Sequence, residues 1–348
     1  MKAVSVLGLF ALWAGAGLAA MADGNSQALV VTASNATNNQ LLVYDATGRL
    51  LQTVPTRGQG GAGGNAGGIE ARGTLLAVVN FGSQSVSLFQ RADNGFHLQE
   101  VIATASSPLS VAFGHDHLYI LGTTTIESHP VFGAEISAHA DGVVNLLKGD
   151  GSSAQVGVVE THLIITEKSN LIETVALSGA GAIAANPVPV QNIPANVNAP
   201  FGLVTRDDNA YVTIAHAGEI SLVRDGAVLT TTPTSAFPGP QQHAPCWLTL
   251  VGPFLYSSNS PSSSISRYAV YGQKIVADQA IAATLNGAPT DIASGEGLVA
   301  VIDGNGPVSH LTLFRADEDG NLTVQGSATI ASPANGVAIV GADSRENE

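Results

Sequence analysis

The chain has 348 residues, and 27 Asp and Glu against 13 Lys and Arg leave a formal net charge of −14. That balance argues against nucleic acid and anionic lipid headgroups as partners, because both carry the same sign. Charged residues make up only 11% of the chain, and the single cysteine, Cys246, allows no internal disulfide, so packing and strand pairing must hold the fold.

Residues 1–22 read as a secretory signal. Lys2 supplies the positive end, the apolar run AVSVLGLFALWAGAGLAA follows, and Ala20-Met21-Ala22 offers a small-x-small cleavage site. Gly8, Gly15 and Gly17 break the run and no second apolar stretch of spanning length follows, so the expectation is a cleaved product without a membrane anchor, secreted or periplasmic. The next segments, QALVVTASN, QLLVYDA and RLLQTV, are three strands that lack an inner partner.

From there a short landmark recurs at Ala66, Pro108, Ala154, Pro200, Pro245, Pro289 and Pro333, at spacings between 42 and 46 residues. After each of the first six come a hydrophobic strand such as TLLAVVN, HLIITE or FLYSSN, an alternating strand such as SVSLFQR or ISRYAVY, and a weaker fourth, as in HLQEVIA. Four antiparallel strands per 40 to 50 residues is the pattern of a β-propeller blade. The seventh landmark stands at the C-terminus with only a polar tail, 342–348, behind it; joined to the three N-terminal strands it completes a seventh blade. The predicted fold is all-β: one seven-bladed β-propeller over residues 23–341, its ring closed by the C-terminal strand.

In such a blade the start of the inner strand and the end of the second strand share a face. One residue past the landmark stand Gly67, Leu109, Gln155, Phe201, Cys246, Thr290 and Ala334, predicted to ring the channel mouth. Thirteen past it stand Val79, Leu121, Glu167, Thr213, Ser258 and Ile302, a single carboxylate among small or apolar residues. Glu167 is therefore the candidate catalytic residue, expected to face inward. Gln155, Lys168, Cys246, Trp247, Asn259, Asn80, Asp303, His216 and His243 are candidate substrate-binding residues, since polar groups converging on a concave mouth form the default ligand site. Each has a plainer alternative: Glu167 and Lys168 as a solvated strand end, Cys246 as a small buried hydrophobe, Asn80, Asn259 and Asp303 as turn formers. No metal or cofactor is expected. The His115-Asp116-His117 triplet falls in a turn on the opposite face without a third ligand. RGQGGAGGNAGG, residues 57–68, matches G-x-G-x-x-G but leads into a strand, and reads as a connector near the mouth and a candidate lid. The sequons at Asn35 and Asn321 would accept glycans only in a eukaryotic secretory route.

The succession GGNAGG, LLAVVNFGSQSVSLFQ, SPLSVAF, AQVGV, LIITEKSN, APFGLV, APCWLTL and PANGVA resembles, over essentially the whole mature chain, the secreted branch of the lactonase-type seven-bladed propellers. That superfamily includes 6-phosphogluconolactonases and fungal 3-carboxymuconate lactonizing enzymes, also labelled carboxymuconate cyclases. The resemblance implies a site in which Glu167 keeps the glutamate of an Asn-Glu motif. Leu109 stands where a histidine is expected, and Gln155 and Cys246 stand where arginines are expected. Without those cations a phosphate or polycarboxylate substrate loses its docking points. The expectation is a lactone hydrolase or muconate-type cycloisomerase for a neutral or weakly charged, lactone-like small molecule, acting as a monomer. The alternative is a non-catalytic exported propeller that binds a small ligand or a protein at the same rim.

Overall fold

Seven four-stranded antiparallel sheets follow one another around an axis in this computed structural model, which describes residues 28–92, 95–194 and 198–341. The expected signal segment and the polar tail lie outside the described residues. Blades 1 to 6 take their inner strands from Ile69–Arg72, Pro108–Gly114, Ser153–Val159, Pro200–Arg206, Pro245–Val251 and Ala288–Gly295. Blade 7 is composite. Its inner strand, Asn335–Val340, pairs with Leu29–Ala33, which continues outward through Gln40–Asp45 to Leu50–Pro55. The predicted closure is what the chain does.

Burial explains why the strands read differently. Second strands such as Leu75–Asn80 and His117–Gly122 are buried at every position, because both faces of each blade are covered by its neighbours. Outer strands such as Leu322–Ile330 are mostly exposed or half-buried. The core is consequently a ring of layers between blades. Leu88 and Ile102 of blade 1 meet Leu118 and Ile120 of blade 2, and Leu42 and Tyr44 of blade 7 meet Leu311 and Leu313 of blade 6.

Every inner strand from blade 2 to blade 6 is irregular just after its first or second residue. Pairing shifts between Pro108 and Ser110, Ser153 and Gln155, Pro200 and Leu203, Pro245 and Trp247, and Pro289 and Asp291. A β-bulge there gives each strand one extra residue and re-aims the side chains that follow. It also fixes the register: Ser153 opposes Glu167 as Pro108 opposes Gly122 and Pro245 opposes Asn259. The blade 3 landmark is thus Ser153, one residue earlier than the spacing suggested. Glu167 is equivalent to Asn80, Asn259 and Asp303, and Gln155 is equivalent to Ser110, Trp247 and Asp291.

Candidate functional site

The landmark end of the channel is filled. Residues 64–67 of the glycine-rich connector lie across the axis, held from several blades at once. Asn65 donates to the Leu109 carbonyl (2.6 Å) and pairs amide to amide with Asn335 (3.2 and 2.9 Å), while its own carbonyl accepts the Trp247 indole N–H (3.0 Å). Ala66 N–H donates to Ala154 and the Gly67 carbonyl accepts from Val111 N–H. The Lys168 ammonium donates to the carbonyls of Gly64 (2.6 Å) and Ser153 (3.1 Å) and stands 5.8 Å from the Phe201 ring centroid. Phe201 packs edge-on against Trp247 with centroids 5.1 Å apart. Ala66, Ala154, Phe201, Cys246 and Trp247 form one buried apolar cluster, so the expected polar rim is an apolar plug under a backbone cap.

Glu167 does not face the channel. It is fully buried and accepts the Lys148 N–H (3.3 Å), while Glu173 on the adjacent strand accepts the Leu147 N–H (3.2 Å). Leu147 and Lys148 belong to the segment arriving from blade 2. Burial, then the neighbouring Glu167, push the Glu173 carboxyl well above the ordinary range. Glu167 Oε2 and Glu173 Oε1 have no other donor among the described residues. The equivalent residues do related work. Asn80 accepts from Asn39 (3.0 Å) and Thr56 (2.8 Å), both arriving from blade 7, and donates to Ser87 (2.7 Å). Asn259 donates to Ser264 and Ser266, and Ser264 donates to Gln242 from the preceding crossover. Asp303 pairs with His310 at 3.0 Å. This address pins crossovers and adjacent strands; that is why it carries polar residues inside a packed core.

Of the other candidates, Gln155 and Trp247 line one cavity, described below; the rest share the landmark face without sharing a cleft. Gln155 Oε1 accepts the Leu203 N–H (2.6 Å), joining blade 3 to blade 4, whose inner strands have no common ladder. Cys246 donates its thiol to the Ala244 carbonyl (3.2 Å), and burial pushes its pKa up to about 12, so it is a neutral thiol and not a nucleophile at neutral pH. Burial also lowers the Lys168 pKa. His216 and His243 are exposed; His216 meets Asn198 at 3.3 Å. Asp116, in the turn between first and second strands, pairs with Arg72 at 2.7 Å.

The channel opens at its other end. A cavity of about 450 Å³ is lined by the inner strands of blades 1 to 7, with Ala112, Leu203, Leu248, Ile292 and Val337 among its apolar walls. Two carboxyls reach it, Glu70 and Asp291. Glu70 accepts the Phe113 N–H, and burial raises its pKa to about 8. Asp291 accepts N–H groups from Ile292, Val337 and Gly67, and burial still raises it to about 7. The repeat contained the signal for both. Four past the landmark, Glu70 stands against Ala112, Val204, Thr249, Ala293 and Val337; two past it, Asp291 stands against Ser110, Gly202, Trp247 and Asn335.

No family model matches the chain, and no curated protein matches it in sequence. Solved structures do match in shape. A proposed 6-phosphogluconolactonase from Bacteroides fragilis aligns at TM-score 0.65 and 14% identity, over 91% of this chain and 99% of its own. Another from Bacteroides uniformis aligns at 0.66 and 15%, over 91% and 100%. Virginiamycin B lyase from Staphylococcus aureus aligns at 0.54 and 13%, over 76% and 84%. The chain thus has the seven-bladed propeller fold, which is borne alike by proteins named for lactonase and for lyase activity.

Proposed function

We propose that this chain is an exported, monomeric, non-catalytic propeller that binds a small molecule in the open end of its channel. One contrast carries the reading. At the landmark end the candidate polar side chains bond to backbone or to one another, or stand exposed, whereas beneath the cap a cavity of about 450 Å³, which Gln155 and Trp247 also line, has size, apolar walls and two carboxyls. Volumes of that order suit a small organic ligand. Export rests on the N-terminal apolar run, and the net charge of −14 disfavours nucleic acid and anionic membranes.

A lactone hydrolase or muconate-type cycloisomerase is the second reading, favoured by the adjacent Glu167 and Glu173 carboxyls, since Glu173, with its pKa raised by burial, suits a general acid. In hydrolysis one carboxylate takes a proton from water as its oxygen attacks the lactone carbonyl, and the ring C–O bond breaks as its oxygen is protonated. This reading needs the cap over residues 64–67 to move. Purified protein is assayed against a panel of neutral lactones beside the Glu167→Gln variant, with a thermal-shift screen of the same compounds. Binding without turnover is expected. Turnover that falls on the order of 100-fold in Glu167→Gln establishes the enzyme instead.

A further inference from the structure

The open channel end has a chemical preference written into it. Its walls are mostly aliphatic or hydroxyl-bearing, with Phe113, Trp247 and the Gln155 amide among them, and its ionisable groups are carboxyls at two depths. Asp291 sits at the closed end, where it accepts N–H groups of Gly67 and Val337 directly beneath the cap, and Glu70 stands three residues further along the strand that follows Gly67. Among the described residues no Lys, Arg or His lines the cavity, and none stands close enough to Glu70 or Asp291 to offset a negative charge there. A buried carboxyl without a cationic partner stays protonated or recruits one.

The approach to the cavity has the same sign. The turns between first and second strands surround this end, and they expose Asp116, Glu160, Asp207 and Glu296. The cations beside them are committed: Arg72 pairs with Asp116, and Arg206 donates to the Gly252 carbonyl (2.8 Å). A surface of one sign around a low-dielectric opening concentrates ions of the other.

We infer that the channel end receives a small organic cation, a primary ammonium on a compact hydrocarbon body, with the ammonium at Glu70 and the hydrocarbon against Ala112, Leu203, Leu248, Ile292 and Val337. The inference rests on the ligand-binding reading above and adds the ligand class. An ammonium supplies three donors and the missing positive charge, so it satisfies Glu70 as a carboxylate. The inner Asp291 keeps its backbone donors, which hold the cap in place. An anion of the same shape finds no cation among the lining residues to offset its charge and is refused.

Calorimetry with three ligands of one shape tests this: cyclohexylamine, cyclohexanol and cyclohexanecarboxylate at pH 7.5, against wild type, Glu70→Gln and Ala293→Phe. Glu70→Gln replaces the acid by an amide of the same shape, and its melting temperature is recorded to show that the fold survives. Ala293→Phe fills a half-buried wall position. In wild type the amine is expected to bind about tenfold more tightly than the alcohol, a difference of about 1.4 kcal/mol, with no binding of the carboxylate. Glu70→Gln removes that preference and leaves alcohol binding unchanged, and Ala293→Phe abolishes both. Equal binding of amine and alcohol by wild type, or a preference that persists in Glu70→Gln, overturns the cation assignment while the channel remains a ligand site. Binding of calcium, titrated alone, that Glu70→Gln removes, with no amine binding, overturns it as well. Failure of every small molecule to bind, together with lactone turnover dependent on Glu167, overturns the underlying reading instead.

Discussion

At Glu173 burial and a second carboxyl act in the same direction, and the result is a proton that the folded chain keeps and the unfolded chain releases. The unfolded side chain ionises near its ordinary value of 4.5, and the folded one well above it. Below that window both states are protonated and pH has no leverage. Within it the folded state holds the extra proton, so stability falls as pH rises toward the folded pKa. Glu70 and Asp291, raised to about 8 and about 7, contribute with the same sign. Glu173→Gln keeps the shape and removes one ionisation. Its melting temperature is expected to fall less steeply than that of wild type between pH 5 and pH 9, by differential scanning fluorimetry; parallel curves would show that Glu173 carries no extra proton. Residue identity alone could not reveal this. Glu167 stood out as a carboxylate only against apolar residues one position out of register; its true equivalents include Asn80, Asn259 and Asp303, and IITEKSN looks alike with or without the bulge that sets that register.

The bulge after each landmark is the element where sequence and structure connect most closely. It turns the strand edge so that Thr213 Oγ1 of blade 4 donates to the Cys246 carbonyl of blade 5 (2.9 Å), and it brings Gly202 against that carbonyl. A Cβ on Gly202 would lie 2.2 Å from Cys246 O and 2.9 Å from Trp247 Cα, both backbone atoms with nowhere to move. Gly202→Ala is therefore expected to cost on the order of 3 kcal/mol in urea unfolding and to shift the Trp247 fluorescence, since the indole is hydrogen-bonded to the cap across the same step. A cost under about 0.5 kcal/mol, the range of neutral surface changes, would mean that the two blades slide freely. At this scale the sequence was readable wherever the repeat supplied a comparison. Strand order and ring closure followed from it, and so did the landmarks except that of blade 3, which is Ser153. The destination of the glycine-rich run did not, because its contacts with Leu109, Ala154, Trp247 and Asn335 join residues that no local pattern associates.

The whole molecule is a ring of packed layers, and a ring has no end to fray unless its seam opens. The seam runs along Leu29–Ala33 and Asn335–Val340, where Leu29 opposes Val340 and Val31 opposes Ala338. Three further ties cross near it: Asn335 to Asn65, Asp291 to the Val337 N–H, and the Arg91 guanidinium to the Val340 carbonyl (3.1 Å). All connect residues distant in sequence, so closure comes late in folding and its loop entropy must be offset by the whole interface at once. A chain ending at Ala334 loses the inner strand of blade 7 and exposes Val31, Leu41 and Val43, which pack beside it in the layer between blades 7 and 1. Such a chain is expected to lose its cooperative thermal transition and to bind a hydrophobic dye, and a peptide covering residues 331–341 supplied in trans is expected to restore part of the transition. A circular permutant carrying that segment ahead of residue 28 should melt cooperatively, because it makes the same pairs within one hairpin. Cooperative melting of the truncated chain at the wild-type temperature would mean that the blades are held by their neighbours alone and that closure contributes nothing. The inter-blade ties around the channel, each made by a side chain where no ladder runs, argue for the opposite outcome.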